Sequence, residues 1–171
     1  MNQKTTTIIE TLSQSIRQQT AKVGVVGLGY VGLPLLDAYI SAGYSAIGYD
    51  VDSKKTEALN EGQSYIAHIE GAKIQGWLDQ DKFQATTDMD RLDEADVILI
   101  CVPTPLSDSR DPDLKYVEMT TEAIAKRLRP GQMVVLESTT YPGTTKDILL
   151  PILAKTGLQP GKDFFLSLIH I

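Results

Sequence analysis

Six residues constrain this chain more than any others: Gly27-Leu28-Gly29-Tyr30-Val31-Gly32. They stand directly after a short apolar run, Val23, Val25 and Val26. They directly precede Leu33 to Ala42, a stretch that reads as a helix stopped by Gly43. In such a strand-turn-helix unit each glycine has a mechanical task. Gly27 permits the tight turn, Gly29 lets the backbone come close to a pyrophosphate, and Gly32 allows the helix to pack close to the sheet. The helix N-terminus then offers unpaired N–H groups and a partial positive charge to phosphates. Glycine-rich turns also serve packing alone, so the context decides. The next apolar run, Ala46 to Tyr49, ends at Asp50, 18 residues past Gly32. An acid at about that distance accepts hydrogen bonds from the adenine-side ribose hydroxyls, and its charge repels a 2′-phosphate. The reading is a dinucleotide site that takes NAD over NADP. The alternative for Asp50 is a surface acid at a strand end.

The rest of the chain alternates strand and helix. Ile8, Leu12 and Ile16 recur every fourth residue and predict an amphipathic helix from about Thr7 to Gln19, laid on the domain as packing. A docking helix for a partner is the alternative. Ser53 is expected to cap a helix that ends near Gly62. Gln63 to Asp81 is the least regular stretch, an ordered excursion holding Tyr65, Ile66, Ile69 and Trp77. Phe83 to Thr86, Val97 to Val102 and Met133 to Leu136 read as strands, and Leu114 to Leu128 as a helix. Thr144 or Thr145 opens another helix through Ala154, and Asp163 to Phe165 starts a last strand. Near-continuous apolar strands separated by helices imply an α/β fold, a Rossmann-type doubly wound parallel sheet with helices on both faces. The expected organisation is a helix over residues 1–20 and a dinucleotide-binding domain over 21–165.

Composition excludes several classes. The 171 residues suit one domain, and 16 Lys and Arg against 22 Asp and Glu leave a net charge of −6. That balance argues against nucleic acid as a partner. One cysteine rules out an intrachain disulfide framework and makes a reducing, cytoplasmic setting the default. No apolar run is long enough to span a membrane. His68 and His170 lie far from Cys101 and from each other, so no metal site is readable.

Two more segments lie beyond strand carboxyl ends, where such sheets bind ligands. In Val102-Pro103-Thr104-Pro105 the prolines stop the strand and Thr104 presents a hydroxyl to the cleft; a rigid turn is the alternative. Glu137-Ser138-Thr139-Thr140-Tyr141-Pro142-Gly143 clusters hydroxyls where a nicotinamide or its ribose would sit. Thr144 and Thr145 read as helix caps. Cys101 reads as a buried hydrophobe rather than a nucleophile. His68 reads as a structural polar residue that could touch a ligand, and Asp111 and Asp113 as turn and cap residues.

These motifs together resemble the nucleotide-sugar dehydrogenases. The resemblance rests on Val23 through Pro34, Gly48-Tyr49-Asp50-Val51-Asp52, Cys101 through Pro105 and Leu136 through Gly143, and it covers Ala21 to Phe165. Ser64-Tyr65-Ile66-Ala67-His68-Ile69 and Asp111-Pro112-Asp113-Leu114 most resemble the UDP-N-acetylglucosamine branch. The resemblance implies oxidation of a UDP-sugar C6 alcohol to the carboxylate with two NAD, within a complete enzyme that is a homodimer and serves surface-polysaccharide synthesis. It implies that Gly27, Leu28, Gly29, Tyr30, Val31 and Gly32 hold the pyrophosphate, and that Asp50 and Lys55 contact the adenosine ribose. A solvated helix lysine is the alternative for Lys55. It further implies that Thr104 and Thr139 line the remaining NAD site, with Thr139 nearest the chemistry.

The family's catalytic glutamate, lysine, asparagine and cysteine have no counterpart in the chain, which ends Leu166-Ser167-Leu168-Ile169-His170-Ile171. One permitted back-translation of this ending reads as a transposon end used in preparing sequencing libraries. Residues 166–171 are therefore expected to be a non-native tail that truncates the domain at its last strand; a natural apolar strand end is the alternative. Three functions remain: the NAD-binding part of a UDP-sugar 6-dehydrogenase, for UDP-GlcNAc, UDP-ManNAc or UDP-glucose; a stand-alone NAD-binding module without catalysis; or another dehydrogenase of this fold. The Glu137 to Gly143 segment argues against the last.

Overall fold

A computed structural model describes residues 3–106 and 112–168. Helix α1 (Gln3–Arg17) leads into strand β1 (Lys22–Val26), followed by α2 (Gly32–Ser41), β2 (Ser45–Tyr49), α3 (Ser53–Asn60), α4 (Gly71–Asp79) and β3 (Phe83–Thr86). A 3-10 turn, Met89–Glu94, precedes β4 (Val97–Ile100), α5 (Lys115–Arg127) and β5 (Met133–Leu136). A π-helical turn, Thr145–Leu149, runs into α6 (Leu150–Ala154), and β6 (Phe165–Leu168) completes the sheet.

Among the described residues six strands lie in the order β3-β2-β1-β4-β5-β6, and each of their pairings is parallel. Alternation along each strand sends side chains to two cores. Val23, Val25 and Leu99 meet Leu33, Leu36 and Ile40 of α2, together with Leu12, Leu59, Ile74 and Trp77. On the opposite face Val26, Ile98, Ile100, Val134 and Leu136 meet Val117 and Ile124 of α5 and Leu153 of α6. Helices on both faces of a parallel sheet in this order are the doubly wound arrangement expected from the strand pattern. The order in which strands are added reverses between β1 and β4, and a crevice opens there.

Local departures from expectation have physical causes. Helix α1 packs as read, through Leu12 and half-buried Ile16, and the Tyr44 hydroxyl donates to the Ile16 carbonyl at 2.8 Å. The cap of α3 is Asp52 rather than Ser53: its carboxylate accepts from the Lys54 N–H at 3.0 Å. The excursion over 63–81 contains a full helix, α4, held by buried Ile74 and Trp77, with Trp77 edge-on to Phe83 at 5.6 Å. Neither Thr144 nor Thr145 caps a helix through its side chain. Thr144 donates instead to the Tyr141 carbonyl. The turn that follows is widened because Pro151 has no N–H and its ring collides with a carbonyl four residues back. The Leu150 N–H consequently reaches Thr145 O, five residues away. Asp113 does act at a helix start, accepting from the Lys115 N–H at 3.0 Å.

Strand β6 runs on through Leu168, so Leu166, Ser167 and Leu168, set apart in the sequence as tail, pair with Val134, Val135 and Leu136. Asp111 and His170 lie outside the described residues. At the opposite edge of the sheet, the Asn60 amide satisfies both the N–H and the C=O of Ala85, so β3 carries a side-chain substitute for a neighbouring strand.

Candidate functional site

The crevice at the carboxyl ends of β1, β2, β4 and β5 is a cleft of about 670 Å³. Its floor is the glycine turn. Gly27 has φ +95°, and a Cβ there would lie 2.6 Å from the Cys101 carbonyl oxygen. A Cβ on Gly32 would lie 1.8 Å from Gly27 O, so close packing of α2 on the turn excludes any side chain. A Cβ on Gly29 would meet nothing within 4 Å. The fold itself gives no reason for a glycine there; the open space does.

Helix α2 begins at Gly32 without a side-chain cap. Among the described residues, none accepts a hydrogen bond from the N–H of Gly29, Tyr30, Val31 or Gly32. Four successive donors thus sit at the positive end of a helix dipole, which is an anion site made of backbone. Among the described residues lining the cleft, Lys55 is the one cation. Its Nζ lies 3.1 Å from Asp50 Oδ2, so phosphate charge would have to be met by the turn.

Asp50 stands at the end of β2, 6% exposed. Its Oδ2 accepts from the Leu28 N–H at 2.8 Å as well as from Lys55, and its Oδ1 accepts from the Asp52 N–H at 3.0 Å. The carboxylate therefore holds the glycine turn, the start of α3 and a lysine together while still facing the cleft.

Of the residues singled out in the sequence, Gly27, Gly29, Tyr30, Val31, Asp50, Lys55, Thr104 and Thr139 all line this one cleft. Leu28 and Gly32 do not. The Leu28 side chain is fully buried in the core, with its N–H on Asp50 and its carbonyl accepting from the Tyr65 hydroxyl at 2.7 Å. Thr104 and Thr139 are brought to the same end by Ser138, whose buried hydroxyl donates to Val102 O at 2.7 Å and ties the two loops together. Cys101 is buried beside them, and burial, aided by the Glu137 charge, pushes its thiol up to about 12. Such a shift is that of a packed thiol rather than of an activated nucleophile. His68 is exposed and away from the cleft.

One wall escaped sequence reasoning. Tyr116, Met119, Thr120 and Ala123 of α5 face the cleft, while Val117, Thr121 and Ile124 of the same helix face the core. The available signal was a second, adjacent stripe at helical spacing, wider than one core-facing surface needs. Val51, 87% exposed just beyond β2, adds an apolar surface to the cleft.

The NAD binding domain of the UDP-glucose/GDP-mannose dehydrogenase family matches residues 21–167. The chain belongs to that family. It carries the family's NAD-binding domain, and NAD is its cofactor. The chain is 36% identical over 147 residues to the UDP-N-acetyl-D-mannosamine dehydrogenase of Pyrococcus horikoshii, covering 85% of this chain and 35% of that one. It is 34% identical over 145 residues to the UDP-N-acetyl-D-glucosamine 6-dehydrogenase of Pseudomonas aeruginosa, covering 84% and 33%. Among solved structures, the ternary complex of GDP-mannose dehydrogenase from Pseudomonas aeruginosa superposes with a TM-score of 0.80 at 32% identity, covering 85% and 35%. The chain therefore spans about a third of the length of the relatives it matches.

Proposed function

We propose that this chain supplies the NAD site of a UDP-sugar 6-dehydrogenase, which oxidises the C6 alcohol of a UDP-N-acetylhexosamine to the uronate with two NAD. The observation that carries the reading is the row of four unpaired N–H donors above an open Gly29, in a chain of this family. In this reading the pyrophosphate lies on the N–H groups of Gly29 to Gly32, with Gly27 shaping the turn and Leu28 anchoring it. Asp50 receives the adenine-side ribose hydroxyls, and Lys55 reaches the same ribose from α3. Thr104 and Thr139 flank the nicotinamide end, with Thr139 next to the reacting carbon. Residues 21–165 form the functional unit and residues 1–20 its packing helix.

For the sugar we favour UDP-GlcNAc, on Ser64 to Ile69 and Asp111 to Leu114. The relatives are named for both the glucosamine and the mannosamine epimers at nearly equal identity, and UDP-glucose is the further option. The remaining proposals are a cytoplasmic setting, a homodimer as the complete enzyme, and a role in polysaccharide precursor synthesis. Among the described residues no helix is long and apolar enough to cross a membrane.

Calorimetric titration of the purified chain is expected to show binding of NAD, weaker binding of NADP, and none of NAD to Gly29→Val. Unchanged affinity in that variant would show that the phosphate turn is misassigned. Incubation with NAD and each of the three UDP-sugars is expected to form no NADH, since the catalytic residues of the family have no counterpart here. NADH formation would contradict that account. The stand-alone module predicts the same silence, but it also predicts that no longer version of the chain will oxidise a UDP-sugar.

A further inference from the structure

The peptide unit joining Leu28 to Gly29 carries the first of the four unpaired N–H groups of the glycine turn. Glycine adopts either sign of φ at little cost, so a plane next to Gly29 could flip and turn its N–H away from the cleft. No side-chain packing at Gly29 holds the plane, since a Cβ there would touch nothing within 4 Å. The restraint comes from the other end of the same plane. The Leu28 carbonyl accepts from Tyr65 Oη at 2.7 Å. In a trans peptide the C=O and N–H point in opposite directions, so a carbonyl held toward Tyr65 directs the Gly29 N–H away from it. Gly29 lines the cleft and Tyr65 does not.

Tyr65 is 38% exposed, and the segment that carries it is anchored beside it. Its neighbour Ile66 is buried, as is Ile69 three residues on. Ser64 Oγ donates to the Ile66 carbonyl at 3.0 Å and accepts from the Ile66 N–H at 3.1 Å, and the Ile69 N–H reaches Ile66 O at 3.0 Å. Partial burial, and then the charges of Asp50 and Asp52, push the ionisation of the phenol up. Leu28 is fixed on its remaining sides by Asp50 at its N–H and by a side chain seated against Gly48, where a Cβ would lie 2.8 Å from Leu28 Cδ2.

We infer that Tyr65 is a positioning residue of the cofactor site: by holding the Leu28 carbonyl it keeps the Gly29 N–H aimed at the pyrophosphate. This rests on the assignment of the glycine turn to the pyrophosphate made above. It gives the segment over 64–69 a role in cofactor binding without contact to the cofactor.

The test compares Tyr65→Phe with Tyr44→Phe in the full chain. The second variant removes the same kind of phenol–carbonyl bond, from Tyr44 to Ile16 O at 2.8 Å, remote from the cleft. Each protein is titrated with NAD, ADP and adenosine, and its Tm is recorded. Loss of one neutral hydrogen bond predicts about a three- to tenfold weaker affinity of Tyr65→Phe for NAD and for ADP. Adenosine, which has no phosphate, is expected to bind as to the unaltered chain, and Tyr44→Phe is expected to keep its NAD affinity. Equal loss for adenosine, equal loss in Tyr44→Phe, or no loss in Tyr65→Phe would each overturn the inference. Failure of the unaltered chain to bind NAD would instead bring down the site assignment, and the inference with it.

Discussion

Gly29 and Gly32 stand three residues apart in one turn and are glycine for opposite reasons. At Gly32 a methyl group would lie 1.8 Å from Gly27 O, so Gly32→Ala is expected to cost about 3 kcal/mol and lower Tm by roughly 10 °C. At Gly29 there is open space and no positive φ. Gly29→Ala is therefore expected to melt like the unaltered chain while binding NAD at least about tenfold more weakly. Thermal melts paired with titrations check both, and a destabilised Gly29→Ala would refute the division of labour. Cys101 sets a limit of a different kind. Its thiol ionises at an ordinary 9.0 when unfolded but is pushed up to about 12 when buried. Above pH 9 the unfolded chain loses a proton that the native chain keeps, so stability falls as pH rises between those values. Urea melts at pH 8 and pH 10 should show the unaltered chain losing about 1 kcal/mol more than Cys101→Ala; equal losses would mean the thiol is not buried in solution. The tight turn at Gly27 and the close packing at Gly32 were legible in the residues, because glycine spacing reports backbone geometry directly. The part Asp50 plays in holding the turn was not. Its bonds to the Leu28 N–H and to Lys55 exist only once a turn and a helix converge on one strand end.

At the scale of elements, strands and the helices between them could be read closely, since buried parallel strands are short apolar runs bounded by glycine, proline and acid. Two elements hid. Helix α4 carries Gly71 and Gly76 among its nine residues, and those glycines dilute the helical period that Ile74 and Trp77 would otherwise display. The π-helical turn ahead of α6 depends on Pro151 acting backwards along the chain, which a forward search for capping residues does not consider. The start of α3 shows the same weakness on a smaller scale. Asp52 and Ser53 are both good caps by type, and only the backbone decides: Asp52 is extended at φ −86°, ψ 105°, as an N-cap must be. Asp52→Ala is expected to destabilise the chain by about 1 kcal/mol, while Ser53→Ala should change stability by no more than a few tenths of that. Denaturant titration of the two variants separates the assignments, and the reverse ranking would return the cap to Ser53.

Across the whole molecule, the reversal of strand order that opens the cleft also sets the order of assembly. No parallel pair can be closed by a hairpin, so each of the five pairings waits on a crossover. Most crossovers here are short, but Val23 of β1 meets Val97 of β4 across 74 positions of chain. That closure has the largest entropic cost in the sheet, and contacts distant in sequence form slowly. The chain should therefore gain most of its helix before β1 and β4 join, and become able to hold NAD only afterwards. Stopped-flow refolding followed by far-ultraviolet ellipticity and by NAD capture is expected to show the second signal lagging the first; simultaneous signals would argue for a single concerted step. The seam that gives this NAD-binding domain its crevice is then also its kinetic bottleneck, and a nascent chain remains unable to bind NAD until β4 has been made and released.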